Sequence, residues 1–404
     1  MIRLLHFADL HLGVENYGRI DPQTGLFSRL TDFLRSLDQI VDHALEQKVD
    51  LVIFAGDAYK SRDPSPTHQR EFAKRIQRLS AAGVPTVLVL GNHDTPSALG
   101  RANTVEIFAT LEVENVVVAR RPATHRLETK SGPIQVVTLP WVVRSALLAR
   151  EEYKNLSLEA TNALILEKIE NIITEEIERL DPTVPAVLAA HGSVFGATYG
   201  SERSVMLGQE IILPRSMVTT PAFDYVALGH IHKHQVLCEK PPVVYAGSIE
   251  RIDFGEEKED KGFVVAEVEK DRANYEFVKL AARPFVTVEV EARGDDPTAE
   301  VLAAIDRHDI SEAVVRVIIH TTSDKEPLIR ESEIRRRLAD AFHVAAMVRD
   351  VERKTRLRLG TDQAVAEMTP RQMLERYLQV KQTPPERAQV LLEYADRIIE
   401  SVGQ

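Results

Sequence analysis

The sequence predicts an α/β layered protein that carries a small α+β domain and a C-terminal helix pair, and three observations carry that expectation. Short apolar runs of strand length alternate with amphipathic helical stretches from residue 1 to about 280. Five of those runs are followed at once by polar residues able to bind a metal. Near residue 282 the rhythm changes to a compact strand, helix, strand, helix, strand pattern, and two helical stretches close the chain.

The strand candidates are 3–8, 51–55, 86–90, 186–190 and 225–228. Open α/β sheets gather functional groups at strand ends, and the ligand-type residues here recur in that position. Helical stretches at 28–47 and 67–82 fill the intervals, whereas a charged helix over 158–180 reads as an excursion from the core. After Arg283-Pro284 the expected strands are 285–292, 313–321 and 343–351, with helices at 297–307 and 329–342, enough for a small domain. The basic stretch 353–358 leads into helices 370–379 and 385–402, each begun by a proline where a missing amide donor costs little.

At 404 residues the chain has room for two or three domains of ~100 to 200 residues each. Its 44% hydrophobic and 27% charged residues are the balance of an ordinary folded protein, not of a disordered or repeat sequence. A formal charge of -11 speaks against a simple nucleic-acid coat protein, because non-specific DNA affinity comes from Lys and Arg neutralising phosphates. Any DNA contact is then local. The single cysteine, Cys238, excludes a disulfide framework and a thiolate cage and fits a reducing compartment. Residues 1–7 lead directly into Asp9 and His11 without the features of a signal peptide. The longest apolar runs, such as 136–143, fall far below the ~18 residues of a membrane helix. A cytoplasmic protein without a membrane partner is expected.

Five segments carry the chemistry: Asp9-Leu10-His11, Gly56-Asp57, Gly91-Asn92-His93-Asp94, His191-Gly192 and Gly229-His230-Ile231-His232. Taken alone, Asp9-Leu10-His11 and Gly56-Asp57 suit solvated turns equally well, and His191 suits a strand-end histidine bonded to backbone. Four turn-forming or ligating residues directly behind 87–90 are more specific, and His230 and His232 stand on alternate residues, so both imidazoles can point one way. Asp9, His11, Asp57, Asn92, His191, His230 and His232 offer hard oxygen and borderline nitrogen, a mixture suited to Mn²⁺, Fe²⁺ or Zn²⁺. Seven ligands with one bridging carboxylate fill four protein positions on each of two ions. Two such ions about 3.5 to 4 Å apart activate water and stabilise an in-line displacement at phosphorus. His93 is the candidate to orient the phosphate or protonate the departing oxygen, with Asp94 as the candidate to orient that imidazole.

This ordered set resembles the calcineurin-like metallophosphoesterase superfamily over residues 1 to about 280, which implies a layered metallophosphoesterase sandwich. The resemblance gives one metal to Asp9, His11, His232 and the bridging Asp57, and the other to Asp57, Asn92, His191 and His230. Protein phosphatases of that superfamily carry Asn-His-Glu and an arginine soon after the bridging Asp. Asn92-His93-Asp94 and Asp57-Ala58-Tyr59-Lys60 depart from both.

A closer resemblance is to the SbcD nuclease family, carried by His6-Phe7-Ala8-Asp9-Leu10-His11-Leu12-Gly13, Gly56-Asp57-Ala58-Tyr59, Gly200-Ser201-Glu202-Arg203, the stretch 225–232 and Tyr245-Ala246-Gly247-Ser248-Ile249-Glu250-Arg251. It implies a nuclease domain over 1–282, a DNA-capping domain over 283–352, a basic linker over 353–368, and a helix pair over 369–404 that binds the coiled-coil root of an SbcC-like ATPase. It further implies two Mn²⁺ ions, exonuclease and hairpin endonuclease activity in break repair, and a homodimer within a heterotetramer. Lys60 stands where some relatives have a histidine; lysine can contact phosphate but cannot copy imidazole proton transfer.

Holding DNA requires a local basic surface, for which Arg335, Arg336, Arg337 and the stretch 353–358 are candidates, with Arg62 and Lys60 nearer the metals. Arginines beside Glu331, Glu333 and Asp340 equally suit a self-paired solvated face. His6 and His234 read as structural. A stand-alone phosphodiesterase for small phosphoesters would share every ligand, and a non-catalytic scaffold would be expected to have lost at least one.

Overall fold

Strands whose two faces are both apolar belong between two layers, and this requirement decides the architecture. The computed structural model describes residues 1–96, 101–143, 147, 156–200, 210–352, 369–381 and 383–402. Residues 201–203 of the quoted SbcD-like phrase and the basic linker 353–368 lie outside the described residues.

Along β1 (Ile2–Phe7), Ile2 and Leu4 enter one buried cluster while Leu5 and Phe7 enter another, and β2 (Leu51–Phe54) divides its residues in the same way. With β3 (Thr86–Val89) and β4 (Val116–Ala119) they run parallel, in register Leu5 with Val52 and Phe54 with Leu88. Antiparallel β13 (Gly262–Glu269) and β14 (Arg272–Lys279) complete a sheet of order β14-β13-β1-β2-β3-β4. The second sheet comprises β5 (Ala123–Thr129), β6 (Gly132–Leu139), β7 (Ala186–His191), β10 (Tyr225–Gly229), β11 (Gln235–Glu239) and β12 (Pro242–Tyr245), in the order β11-β12-β10-β7-β6-β5. A short pair, β8 (Ser193–Val194) with β9 (Ile212–Leu213), follows β7.

One cluster, containing Leu4, Ile53, Val87, Val136, Val187, Tyr225 and Val244, lies between the two sheets. Helices α1 (Ser28–Glu46) and α2 (Pro66–Ala81) cover the first sheet through Phe33, Leu37, Phe72 and Ile76. Ser65 caps α2 by accepting the His68 amide, and Pro66 opens its first turn. The Leu158–Glu178 helix corrects the expected excursion: it is the outer layer on the second sheet. Ile165, Ile169 and Ile173 recur every four residues and join Leu139, Leu188 and Val226 in one buried cluster. The part of the chain that holds these two sheets thus has the helix–sheet–sheet–helix order expected of a layered sandwich. No helix among the described residues is long and apolar enough to cross a membrane.

The chain divides into two compact units. The first comprises Met1–Val288, Ile305–Val317 and Arg337–Met347, the second Glu289–Ala304, Ile318–Arg336 and Val348–Gln404. The later strands β15 (Phe285–Glu291), β16 (Val314–Thr322) and β17 (His343–Glu352) form a sheet in that order, with helices Pro297–Ile305 and Glu331–Arg337 between them in sequence. In the second unit the terminal helices are Pro370–Val380 and Pro385–Val402, and Thr369 with Gln372 forms a capping box at the start of the former. Leu378 is buried, whereas Tyr377, Leu391, Tyr394 and Ile398 are exposed.

Candidate metal centre

The C-terminal ends of β1, β2, β3, β7 and β10 deliver all seven ligand candidates to one edge of the first unit. Adjacent loops are laced together: the Asp9 amide donates to the Gly56 carbonyl at 2.9 Å, the His11 amide to the Asp57 carbonyl at 3.0 Å, and the His230 amide to both Asp9 carboxylate oxygens at 3.0 Å. Asp9, His11, Asp57 and His230 have φ of 53, 47, 64 and 104°. Left-handed backbone is costly for non-glycine residues and persists where the surroundings over-determine it, which is frequent at functional sites. Gly91 is there because nothing larger fits: a Cβ would lie 2.0 Å from Asp57 Oδ1.

Donor atoms meet in three overlapping groups: Asp9, His11 and His232; His11, Asp57 and His93; and Asp57, His191 and His230. His11 Nε2 and His232 Nε2 are 3.0 Å apart, and Asp57 Oδ2 lies 3.7 Å from His11 Nε2 and 3.5 Å from His191 Nε2. Asn92 Oδ1 stands 3.0 Å from both His191 Nε2 and His230 Nδ1. His191 Nδ1–H donates to the Ala55 carbonyl at 2.7 Å, so in the neutral ring Nε2 is an acceptor facing acceptors. His232 repeats the pattern, its Nδ1–H donating to Glu256 at 2.7 Å. Convergent oxygen and imidazole lone pairs with no thiolate fit borderline divalent cations, and Asp57 sits where both groups can share it.

The charge states agree. Burial would raise the Asp57 carboxyl, but His191, His11 and His93 outweigh it and hold it far below the usual carboxylate range. Burial likewise works to lower His191, yet Asp57 and then Asp9, together with the Ala55 hydrogen bond, lift it to about 9. Without an ion, a proton on His191 thus supplies positive charge. Burial drives His11 well below its ordinary value, leaving a neutral ring ready to ligate. Burial also raises the Asp9 carboxyl, a cost that a bound cation would offset.

The remaining candidates divide. The His93 ring lies 4.9 Å from that of His11, its amide donates to Asp57 Oδ1 at 2.8 Å, and its Nδ1 is 2.6 Å from the Lys60 carbonyl. Asp94 does not orient this imidazole. Its buried carboxylate accepts the amides of Gly91, Asp57 and Ala58 at 2.8 to 3.2 Å, pinning two ligand loops together. Burial, then the neighbouring Asp57 charge, pushes Asp94 up to about 7. The Lys60 and Arg62 side chains are exposed. On the Glu331–Arg337 helix, Arg335 pairs with Glu331 at 2.7 Å and Arg337 with Asp306 at 2.5 Å, as a self-paired face would, while Arg336 is exposed.

Sequence reasoning missed Glu256, which holds His232; Glu210, whose Oε1 is 2.5 Å from His230 Nε2; and Trp141, whose ring lies 5.1 Å from that of His230. A lone Glu between longer elements carries no signal of its own, and Trp141 was one residue within the apolar run 136–143.

The profile of the calcineurin-like phosphoesterase family matches residues 2–234. The chain is 27% identical over 318 residues to the DNA double-strand break repair protein Mre11 of Haloferax volcanii, covering 78% of this chain and spanning 61% of that relative. It is 27% identical over 324 residues to the SbcD component of the SbcCD nuclease of Rhodobacter capsulatus, covering 76% of each chain. To the SbcD component of the SbcCD nuclease of Staphylococcus epidermidis it is 26% identical over 296 residues, covering 72% of each.

Proposed function

The chain belongs to the calcineurin-like phosphoesterase family, a metal-dependent phosphoester hydrolase by its site, and from that premise we propose that it is the DNA nuclease subunit of an SbcC/SbcD-type complex. The observation that carries the reading is the convergence of seven oxygen and nitrogen donors, with His93 beside them, from the strand ends of both sheets. The similarity to Mre11 and SbcD proteins extends past residue 234 and supports DNA as the substrate.

Asp9, His11, His232 and Asp57 would hold one ion, and Asp57, Asn92, His191 and His230 the other. When bound, two divalent ions, Mn²⁺ in this reading, activate water and neutralise phosphate charge for in-line displacement. His93 directs its Nδ1–H at the Lys60 carbonyl, which leaves Nε2 free to face the phosphate. In its protonated form Nε2 donates to the departing oxygen as the P–O bond breaks. Asp94 fixes the separation of the Asp57 and Asn92 loops through backbone amides. Lys60, Arg62, Arg335, Arg336 and Arg337 contact the DNA backbone, with residues 283–352 capping it and 353–368 serving as linker. The exposed Tyr377, Leu391, Tyr394 and Ile398 support binding of residues 369–404 to an SbcC-like ATPase. The complex is a cytoplasmic heterotetramer built on an SbcD homodimer, with exonuclease and hairpin endonuclease activity in repair and recombination.

The test is Mn²⁺-dependent cleavage of end-labelled duplex and hairpin DNA by the wild type and His93→Ala, with and without the ATPase. Expected is cleavage by the wild type and a loss of about 10²- to 10⁴-fold in the variant with metal content retained. No DNA cleavage, beside brisk hydrolysis of a small phosphodiester, would replace this reading with a stand-alone phosphodiesterase.

A further inference from the structure

Two metal-facing histidines that are neighbours on one loop are held by different carboxylates through different ring nitrogens. His232 gives Nδ1–H to Glu256 Oε1 at 2.7 Å and turns Nε2 toward His11. His230 does the reverse: Nε2 lies 2.5 Å from Glu210 Oε1, and Nδ1 is turned toward Asn92. Glu256 is fully buried and fixed from behind, its Oε2 taking the Ile252 amide at 3.1 Å and the Lys261 ammonium at 2.8 Å. Lys261 is itself wholly buried and also reaches the His232 carbonyl at 3.2 Å. Glu210 is held by the Ser193 hydroxyl. A carboxylate behind a ligating imidazole fixes the tautomer and the ring orientation and raises its basicity.

We infer that Glu256 and Glu210 are positioning residues, each dedicated to one ion: Glu256, braced by Lys261, to the ion at Asp9, His11 and His232, and Glu210 to the ion at Asn92, His191 and His230. The assignment rests on the two-ion reading of the site and is independent of DNA as the substrate. A purely structural Glu256–Lys261 pair would affect folding without distinguishing the ions.

The test titrates the full-length, metal-stripped protein with Mn²⁺ against a competing chelator and resolves two affinities. Glu256→Gln is expected to weaken one ion ~10- to 100-fold and Glu210→Gln the other. A His191→Ala background identifies which is which. There, Glu256→Gln still weakens the remaining ion and Glu210→Gln does not. Because the buried Lys261 ammonium pairs with Glu259 at 2.9 Å as well as with Glu256, and Glu256→Gln removes one of its two carboxylates, the double variant Glu256→Gln/Lys261→Met is titrated as well and is expected to keep the defect. Wild-type affinity for both ions in the Gln variants would overturn the inference. So would a defect that disappears in the double variant, since it would belong to the lysine left with Glu259 alone. A wild type that binds only one Mn²⁺ would overturn the two-ion reading, and this assignment with it, in a separate arm.

Discussion

At the scale of residues, the bare site is a charge problem that a proton and a metal ion solve in competing ways. His191 is lifted to about 9, against its burial, chiefly by Asp57, so it is protonated at pH 7 in the ion-free protein and must lose that proton to ligate. Mn²⁺ uptake at pH 7 is therefore expected to release a proton. Affinity should rise with pH by up to about tenfold per unit and level off above about pH 9. Calorimetric titration in buffers of different ionisation heat counts the protons, and a count of zero at pH 7 would show that His191 carries no proton in the ion-free protein or does not bind the ion. Asp9, His11, Asp57, Asn92, His191, His230 and His232 were legible in the sequence because each stands directly behind an apolar run, where a strand end must put it. Glu210 and Glu256 were not, because each meets its histidine only after the chain has turned back on itself over 20 or 24 residues. Asp94 shows the opposite error: adjacency to His93 suggested a partner, but its carboxylate is directed to backbone amides on two loops.

At the scale of elements, periodicity revealed the parallel central strands and the long helices, since both carry their burial pattern within one segment. Edge strands such as β14 were harder to see, because Arg272–Lys279 alternates half-buried and exposed positions without an apolar run. The Leu158–Glu178 helix was misjudged for a related reason: its charged residues outnumber a stripe of isoleucines that is conspicuous only once a sheet lies beneath it. That stripe makes a specific demand. Ile169 is fully buried against the second sheet, and Ile169→Ala is expected to destabilise the protein by about 2 to 5 kcal/mol, through lost burial and the cavity left behind. Urea denaturation measures the loss, and Mn²⁺ affinity of the folded variant should remain that of the wild type because the ligands sit on strand ends, not on this helix. A change below about 0.5 kcal/mol, the size of an ordinary surface substitution, would show that the helix is not an outer layer of the core.

At the scale of the first compact unit, the two sheets are joined by an apolar interior in which the His6 imidazole is set. His6, on β1 of the first sheet, is fully buried and reaches across to β10 of the second, with Nδ1 3.1 Å from the Tyr225 hydroxyl and Nε2 3.2 Å from the Leu228 carbonyl. Burial, only partly opposed by the Leu228 hydrogen bond, lowers its pKa from 6.5 to about 3. The sign of the consequence follows from which state takes the proton. Below pH 6.5 the unfolded chain protonates His6 while the folded protein does not, so stability falls as pH drops and the loss is complete only near pH 3. Between pH 7 and pH 5 this one group removes about 2 kcal/mol. His6→Gln keeps a side chain able to hydrogen-bond and has nothing to titrate, so urea denaturation of the chelator-treated proteins should show the wild type losing about 2 kcal/mol more than the variant over that interval. Equal losses would mean that water or a proton reaches His6 between the sheets, and that the interior joining them is open where the packing of Leu4, Ile53, Val187 and Ala227 has it closed.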